Sequence, residues 1–381
     1  MARNIRRKKH KVFKTFGILM ALVLIVGATV AITLALLNDT TDTKTNTFVS
    51  DNKMDLELTE PGWSDPDDPD NPSDGKHLAE YYTPGLDIPK DPTLTNLAKF
   101  EHNAPVANTD PDVIAKIKNT LEYKSKSMYV ALKLEYQILK ADVAKEDASV
   151  NLYDDTDNTN WEKISYDTFR QLADIKNKTT TSGTGFNTDN WQAKTGGTYD
   201  SGKIDENTVF YYKTMLGPSI KGVKDKDGND IAGIDNESKD QTNPLFDVIN
   251  IEQALSQETI FLCDGGEDGT LLHFKEDSIG DKWTVADKTW ADLKAKDSVG
   301  GALAGYTFST PAPGKTAPYQ YEKNSTITYV HVGLVPFRIK VTGYAVQAYI
   351  NQQEMIAPGD VASPGDIEAV DELDKLMGIA P

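Results

Sequence analysis

The chain has 381 residues, a single cysteine and a formal net charge of -18. That length is enough to bury a sizeable core without disulfides, and Cys263 alone cannot form an intramolecular one. The negative charge argues against nucleic acid or an anionic membrane surface as a partner, because both would repel it.

The first element in chain order is a leader. Arg3, Arg6, Arg7, Lys8, Lys9, Lys11 and Lys14 precede 22 uncharged, largely apolar residues, 16–37. A basic start, an apolar middle and a small-residue exit describe an export signal. The same 22 residues are also long enough to stay in a bilayer as an anchor with the basic end inside. Thr33 and Ala35 stand three and one before a cut between Ala35 and Leu36, with Ala31 as a second candidate. Removing residues 1–35 deletes seven positive charges and leaves a product near -25. The expected division is therefore a leader over 1–35, cleaved or retained, and one domain over 36–381.

Directly after the leader comes a polar, extended-looking segment, Leu36, Leu37, Asn38, Asp39, Thr40, Thr41, Asp42 and Thr43, running on to about Phe48. Met54, Leu56 and Leu58 then alternate with polar residues and predict a first strand. Asp65 to Gly75 packs acids and prolines together. Carboxylate oxygens suit calcium, but so dense a proline spacing favours an extended, solvated loop. Calcium is the only ion this composition brings forward, and no other cofactor is implied.

The periodicity predicts a helix over Asp110 to Tyr123, with Val113, Ile114, Ile117 and Leu121 on one side. From Met128 to Ile138 every even position is apolar (Met128, Val130, Leu132, Leu134, Tyr136, Ile138), which predicts a strand with one face on the core. Ser165 to Ile175 is a second helix candidate. Further strands are expected within Thr208 to Leu216, Leu245 to Ile251, Thr259 to Cys263 and Thr326 to Leu334. Cys263, in the apolar run Ile260 to Cys263, reads as a small buried hydrophobe. Polar stretches near 141–203, 221–242 and 265–318 read as insertions between core strands, anchored by tryptophans. Within them, Asp225 to Asp230 starts like a calcium loop but places Gly228 too early, so a hairpin turn at Asp227-Gly228 fits better. Thr289 to Asp292 resembles a capping box opening a short helix.

Phe337, Ile339 and Val341 alternate with Arg338, Lys340 and Thr342; after Gly343 the apolar positions move to Tyr344, Val346 and Ala348. Such a phase change means a bulge or a strand that becomes covered on both faces. A last helix is expected over Ser363 to Met377, opened by Ser363-Pro364, with a stripe of Ile367, Val370, Leu373 and Leu376. Together these elements predict a mainly β, antiparallel, jelly-roll-like sandwich with helical and loop insertions, preceded by the apolar signal helix.

Catalytic spacing is absent. No two of His10, His77, His102, His273 and His331 are close enough for His-Glu-x-x-His, and Gly217 to Gly222 is not a nucleophile elbow. No phosphate loop or Cys-x-x-Cys occurs. No catalytic, cofactor-binding or metal-ligating residue is therefore nominated.

Four stretches carry a resemblance. The leader running into Leu34-Ala35-Leu36-Leu37-Asn38-Asp39-Thr40-Thr41-Asp42 resembles signal peptides cut by the SipW-type peptidase of Gram-positive bacteria, with Leu36-Leu37 where an aromatic is common. Asn46 to Phe48 and Met54 to Glu60 match the strand next in order. Thr83-Pro84-Gly85 to Thr95-Asn96, and Phe337 to Ala348, are similar to an internal segment and the closing strand of the TasA/camelysin family, in its clostridial biofilm-matrix branch. The resemblance covers 16–139 and 326–381 and implies a secreted jelly roll. In that family the mature N-terminus, here Leu36 to Thr43 and on to about Phe48, adds as a strand to the next subunit and builds extracellular fibres. It implies a SipW-type signal peptidase and other matrix proteins as partners, besides the chain itself head to tail. Two other readings stay open: a camelysin-like secreted or surface metallopeptidase, which no zinc-ligand spacing supports, and a membrane-anchored adhesin with an uncut leader.

Overall fold

The computed structural model describes residues 38–41, 54–63, 74–100, 113–147, 159–178, 185–195, 198–199, 202–203, 207–220, 240–255, 260–263, 271–274 and 307–380, with a few single-residue gaps and isolated residues besides. For 38–41, 260–263 and 271–274, among others, the description is of the backbone alone. The leader over 1–35, the Asp65 loop, the turn at Gly228, the Thr289 capping box, Trp283 and Trp290 lie outside the described residues.

The described chain is mainly β, in several antiparallel sheets. Its centre is the strand Met128–Leu139, predicted from the period-two pattern. It pairs without interruption with the closing strand Phe337–Gln347, from Phe337↔Ile138 to Gln347↔Met128. Val209–Tyr212 and Trp191–Ala193 extend the sheet on one side, and Trp161–Lys163 pairs with the far end of the central strand. On the other side the closing strand carries the N-terminal strand Asn38–Thr41.

One face of this sheet meets a second layer made of two smaller antiparallel sheets. These are Asp87–Pro89, Val248–Ile251 and Ala173–Lys176 in one, and Leu56–Thr59 with Thr93–Asn96 in the other. Val130, Leu132, Leu134, Tyr136 and Ile138 pack there against Leu56, Leu94, Ile175, Ile249 and Ile251. The expectation of one buried face is incomplete, because Tyr129 and Ala131 are buried on the opposite side. The helix Ala369–Met377 covers them with Ala369, Leu373 and Met377.

The same helix accounts for the phase change at Gly343. Pairing across Gly343 is continuous, so there is no bulge. Val341 and Ala345 stay on the first core, while Tyr344, Val346 and Ala348 join the cluster under the helix. The strand is covered on both faces only along its second half.

Helix boundaries are the main corrections. The last helix begins at Ala369, not at Ser363-Pro364. Gly365 has φ +98°, a left-handed conformation that closes a turn, and the Ser363 N–H donates to Asp366 Oδ2 at 2.8 Å within it. Ser165 does cap a helix, accepting from the Thr168 N–H, but that helix is only Tyr166–Phe169. Ala173–Lys176 continues as a strand because it has a partner, Val248–Ile251, that local periodicity cannot reveal. The predicted helix from Asp110 divides into Val113–Lys118 and Leu121–Ser125, the second capped by Thr120. Leu121, expected on the apolar stripe, is 64% exposed.

The insertions are also more than loops. Segment 141–203 supplies five strands among the described residues and the buried Trp161, Phe169 and Trp191. Trp191 packs edge-on against Tyr212 with centroids 5.0 Å apart, and its Nε1–H donates to the Asn243 carbonyl at 2.9 Å. Strands Ile260–Cys263, Leu271–Phe274, Thr307–Ser309, Tyr319–Lys323 and Thr326–Val332 form a five-stranded antiparallel sheet from the region around 265–318. Cys263 belongs to a strand of which only the backbone is described.

Candidate functional site

The edge at which the N-terminal strand meets the closing strand is the candidate site. Four register pairs define it: Asn38↔Val346, Asp39↔Ala345, Thr40↔Tyr344 and Thr41↔Gly343. An antiparallel pairing of that length makes about four hydrogen bonds. At about 1 kcal/mol net each, these barely offset the ordering of four residues at about 1–2 kcal/mol apiece. The pairing is therefore weak unless side chains or further pairs add to it.

The accepting edge is longer than the strand that occupies it. The closing strand runs from Phe337 to Gln347, and among the described residues only Asn38–Thr41 pairs with its outer side, reaching no further than Gly343. From Phe337 to Thr342 the outer side is thus sheet edge among the described residues. Open edges of this kind are templates for added strands.

Burial and charge differ along the edge. The Gly343–Gln347 half is fixed from below by the C-terminal helix. Asp374 of that helix, only 6% exposed, accepts from the Tyr211 hydroxyl and pairs with Lys194 Nζ at 2.5 Å. The Tyr129 hydroxyl donates to Glu354, and burial with that neighbouring carboxylate pushes the phenol well above its usual range. On the same face, the Arg338–Thr342 half is a polar ladder. Lys340 lies opposite Glu135 and Thr342 opposite Lys133. Glu135 lies 3.8 Å from Lys133 and 3.5 Å from Lys163, and burial pushes the Lys133 ammonium below its ordinary pKa.

Of the residues nominated from sequence, Asn38, Asp39, Thr40 and Thr41 are on this edge. Ala35, Leu36, Leu37, Asp42 and Thr43 lie outside the described residues. Sequence reasoning did not identify the closing strand as the pairing partner. The signal available was its apolar phase change at Gly343, the residue opposite Thr41. Among the described residues there is no cluster of three or more His, Cys, Asp or Glu able to hold a metal, and no helix long and apolar enough to cross a membrane.

No family model, curated protein or solved structure matches the chain.

Proposed function

We propose that this is an exported structural protein of the extracellular matrix or cell surface that polymerises head to tail by donating its N-terminal strand, in the manner of the TasA/camelysin family. Cleavage between Ala35 and Leu36 by a SipW-type peptidase frees the segment, and the protein acts outside the cell without catalysis or a resident cofactor. The body is a jelly-roll-like sandwich, and other matrix proteins are its further partners.

The observation that carries this reading is the pairing of Asn38–Thr41 with the closing strand. The segment that export would leave at the new N-terminus is the one already suited to that edge. A strand held by one edge can exchange into the same site on a neighbour at almost no difference in contact energy, as in domain swapping. On either copy that edge continues from Gly343 to Phe337, beyond the described reach of the N-terminal strand. Continued in the same register, Asp42 to Thr47 fall opposite Thr342 to Phe337. Thr41, Thr43, Thr45 and Thr47 recur at every second position, a β-branched pattern suited to one face of a strand. Extra pairs at about 0.5–1.5 kcal/mol per hydrogen bond would strengthen the joint between subunits. A head-to-tail contact of this type does not close on itself and produces filaments.

The test is deletion of Leu36 to Thr43 from the mature protein. Electron microscopy and sedimentation should show filaments for the intact chain and soluble monomers for the truncated one. Normal filaments from the truncated chain would remove strand donation by this segment. N-terminal sequencing of the extracellular protein separates a free strand at Leu36 from an adhesin that keeps its leader.

A further inference from the structure

A second feature lies at the far end of the closing strand, around Phe337 to Ile339. Between the five-stranded sheet and the body lies a cavity of about 770 Å³, within the usual range for small-molecule sites. The body contributes Trp63, Tyr82, Trp161 and the start of the closing strand, the sheet contributes Tyr319 and His331, and Lys315 comes from the loop joining two of its strands.

Its chemistry is unlike that of the rest of the chain. The protein is strongly acidic, yet the wall holds Lys90, Lys145, Lys315 and Arg338 with the acid Glu80; behind the wall Glu60 pairs with Lys90, and Glu146 accepts from Thr316 beside Lys315. Much of the remainder is aliphatic, including Leu139, Val143, Ile249, Leu334 and Ile339. The cations are held in place. The Arg338 guanidinium lies 4.3 Å from the Trp161 ring centroid and its Nε–H donates to Gln137 Oε1 at 2.6 Å. Lys90 Nζ sits 4.7 Å from the Trp63 ring centroid and 2.7 Å from Glu60 Oε2. The Tyr82 hydroxyl donates to the Val335 carbonyl at 2.7 Å, fastening one wall to the link before the closing strand.

Trp161 Nε1 and His331 Nε2 belong to lining residues and are two of seven buried side-chain atoms without a hydrogen-bond partner among the described residues; both are covered by protein rather than open to the cavity. Leaving such an atom unsatisfied costs about 1–3 kcal/mol. Burial holds the His331 imidazole neutral, with its pKa down to about 4. The cavity therefore gains no further positive charge from His331 at neutral pH.

We infer that this cavity binds a small amphipathic organic anion, its carboxylate toward Arg338 and the lysines and its apolar body among the aliphatic side chains. A neutral or cationic molecule of the same shape would forfeit the charge-assisted contacts. An inorganic anion would leave the aliphatic wall uncovered. Binding here does not require polymerisation, so a failed filament assay leaves it standing.

The test is isothermal titration of the mature chain, residues 36–381, with decanoate as the probe, against decylammonium and inorganic phosphate. Decanoate should bind one per chain, at least ten times more tightly than either comparator. Lys315→Gln, an exposed rim position, and Arg338→Gln should each weaken decanoate binding, Arg338→Gln by about tenfold or more. Lys375→Gln, on the C-terminal helix away from the cavity, should leave it unchanged. Equal binding of decanoate and decylammonium would overturn the inference. So would no binding of decanoate, or unchanged affinity in both cavity variants with unaltered thermal unfolding.

Discussion

Asp374 fastens the C-terminal helix to the sheet that carries the pairing edge, and its removal has a calculable cost. Its side chain is 8% exposed, and its carboxylate accepts from the Tyr211 hydroxyl and lies 2.5 Å from Lys194 Nζ. The Lys194 side chain is itself only 15% exposed, so water compensates little when the carboxylate goes. Asp374→Ala strands a nearly buried ammonium and a buried phenol. Breaking such a pair from one side costs about 3–5 kcal/mol. Removing both charges, as in Asp374→Ala with Lys194→Met, avoids the stranded charge and should recover at least about 1 kcal/mol of that loss. Equilibrium urea unfolding of the mature chain measures both, provided the slope is unchanged. A loss below about 1 kcal/mol for Asp374→Ala, or strict additivity in the double variant, would refute the reasoning.

Trp191→Ala should destabilise by about 3–5 kcal/mol, since it empties a fully buried site and leaves the Asn243 carbonyl without its indole donor. A loss near zero in the same urea assay would mean that segment 141–203 is not anchored there. Protonation of His331 gives a pH dependence. Its folded pKa of about 4 lies below the ordinary 6.5, so the unfolded chain binds the proton more readily between those values. The corresponding stability is fully present above pH 6.5 and is lost as pH falls toward 4, on the order of 3 kcal/mol in total. The difference in unfolding free energy between wild type and His331→Gln should shift across that window; a constant difference would contradict a buried neutral imidazole.

The β character and the central strand were legible because alternation at Met128 to Ile138 is a local property of the chain. The covering of both faces was not, because Tyr129 and Ala131 are buried by a helix more than 200 residues away. The Gly343 phase change held that information but could not separate a bulge from a second covering layer. Ser165 to Ile175 was misread as one helix because the partner of Ala173–Lys176 is distant in sequence. The Ser363-Pro364 start failed for a local reason, the left-handed turn at Gly365. At the candidate site, the polar segment after the leader drew notice through its composition and resemblance. Its partner edge and register are long-range properties that no single segment encodes. The cavity was illegible for the same reason, since Trp161, His331 and Arg338 meet only through folding.

Strand donation is tested most directly by cross-linking between protomers. In a Cys263→Ser background, one mature variant carries Asp39→Cys and another Ala345→Cys, the two positions being opposite in register. Cross-strand neighbours are near enough for a disulfide, and a chain carrying both substitutions serves as the positive control by closing internally. Filaments grown from an equal mixture of the single variants should yield disulfide-linked dimers containing one of each. Filaments that form normally without such dimers, while the control closes, would contradict the account.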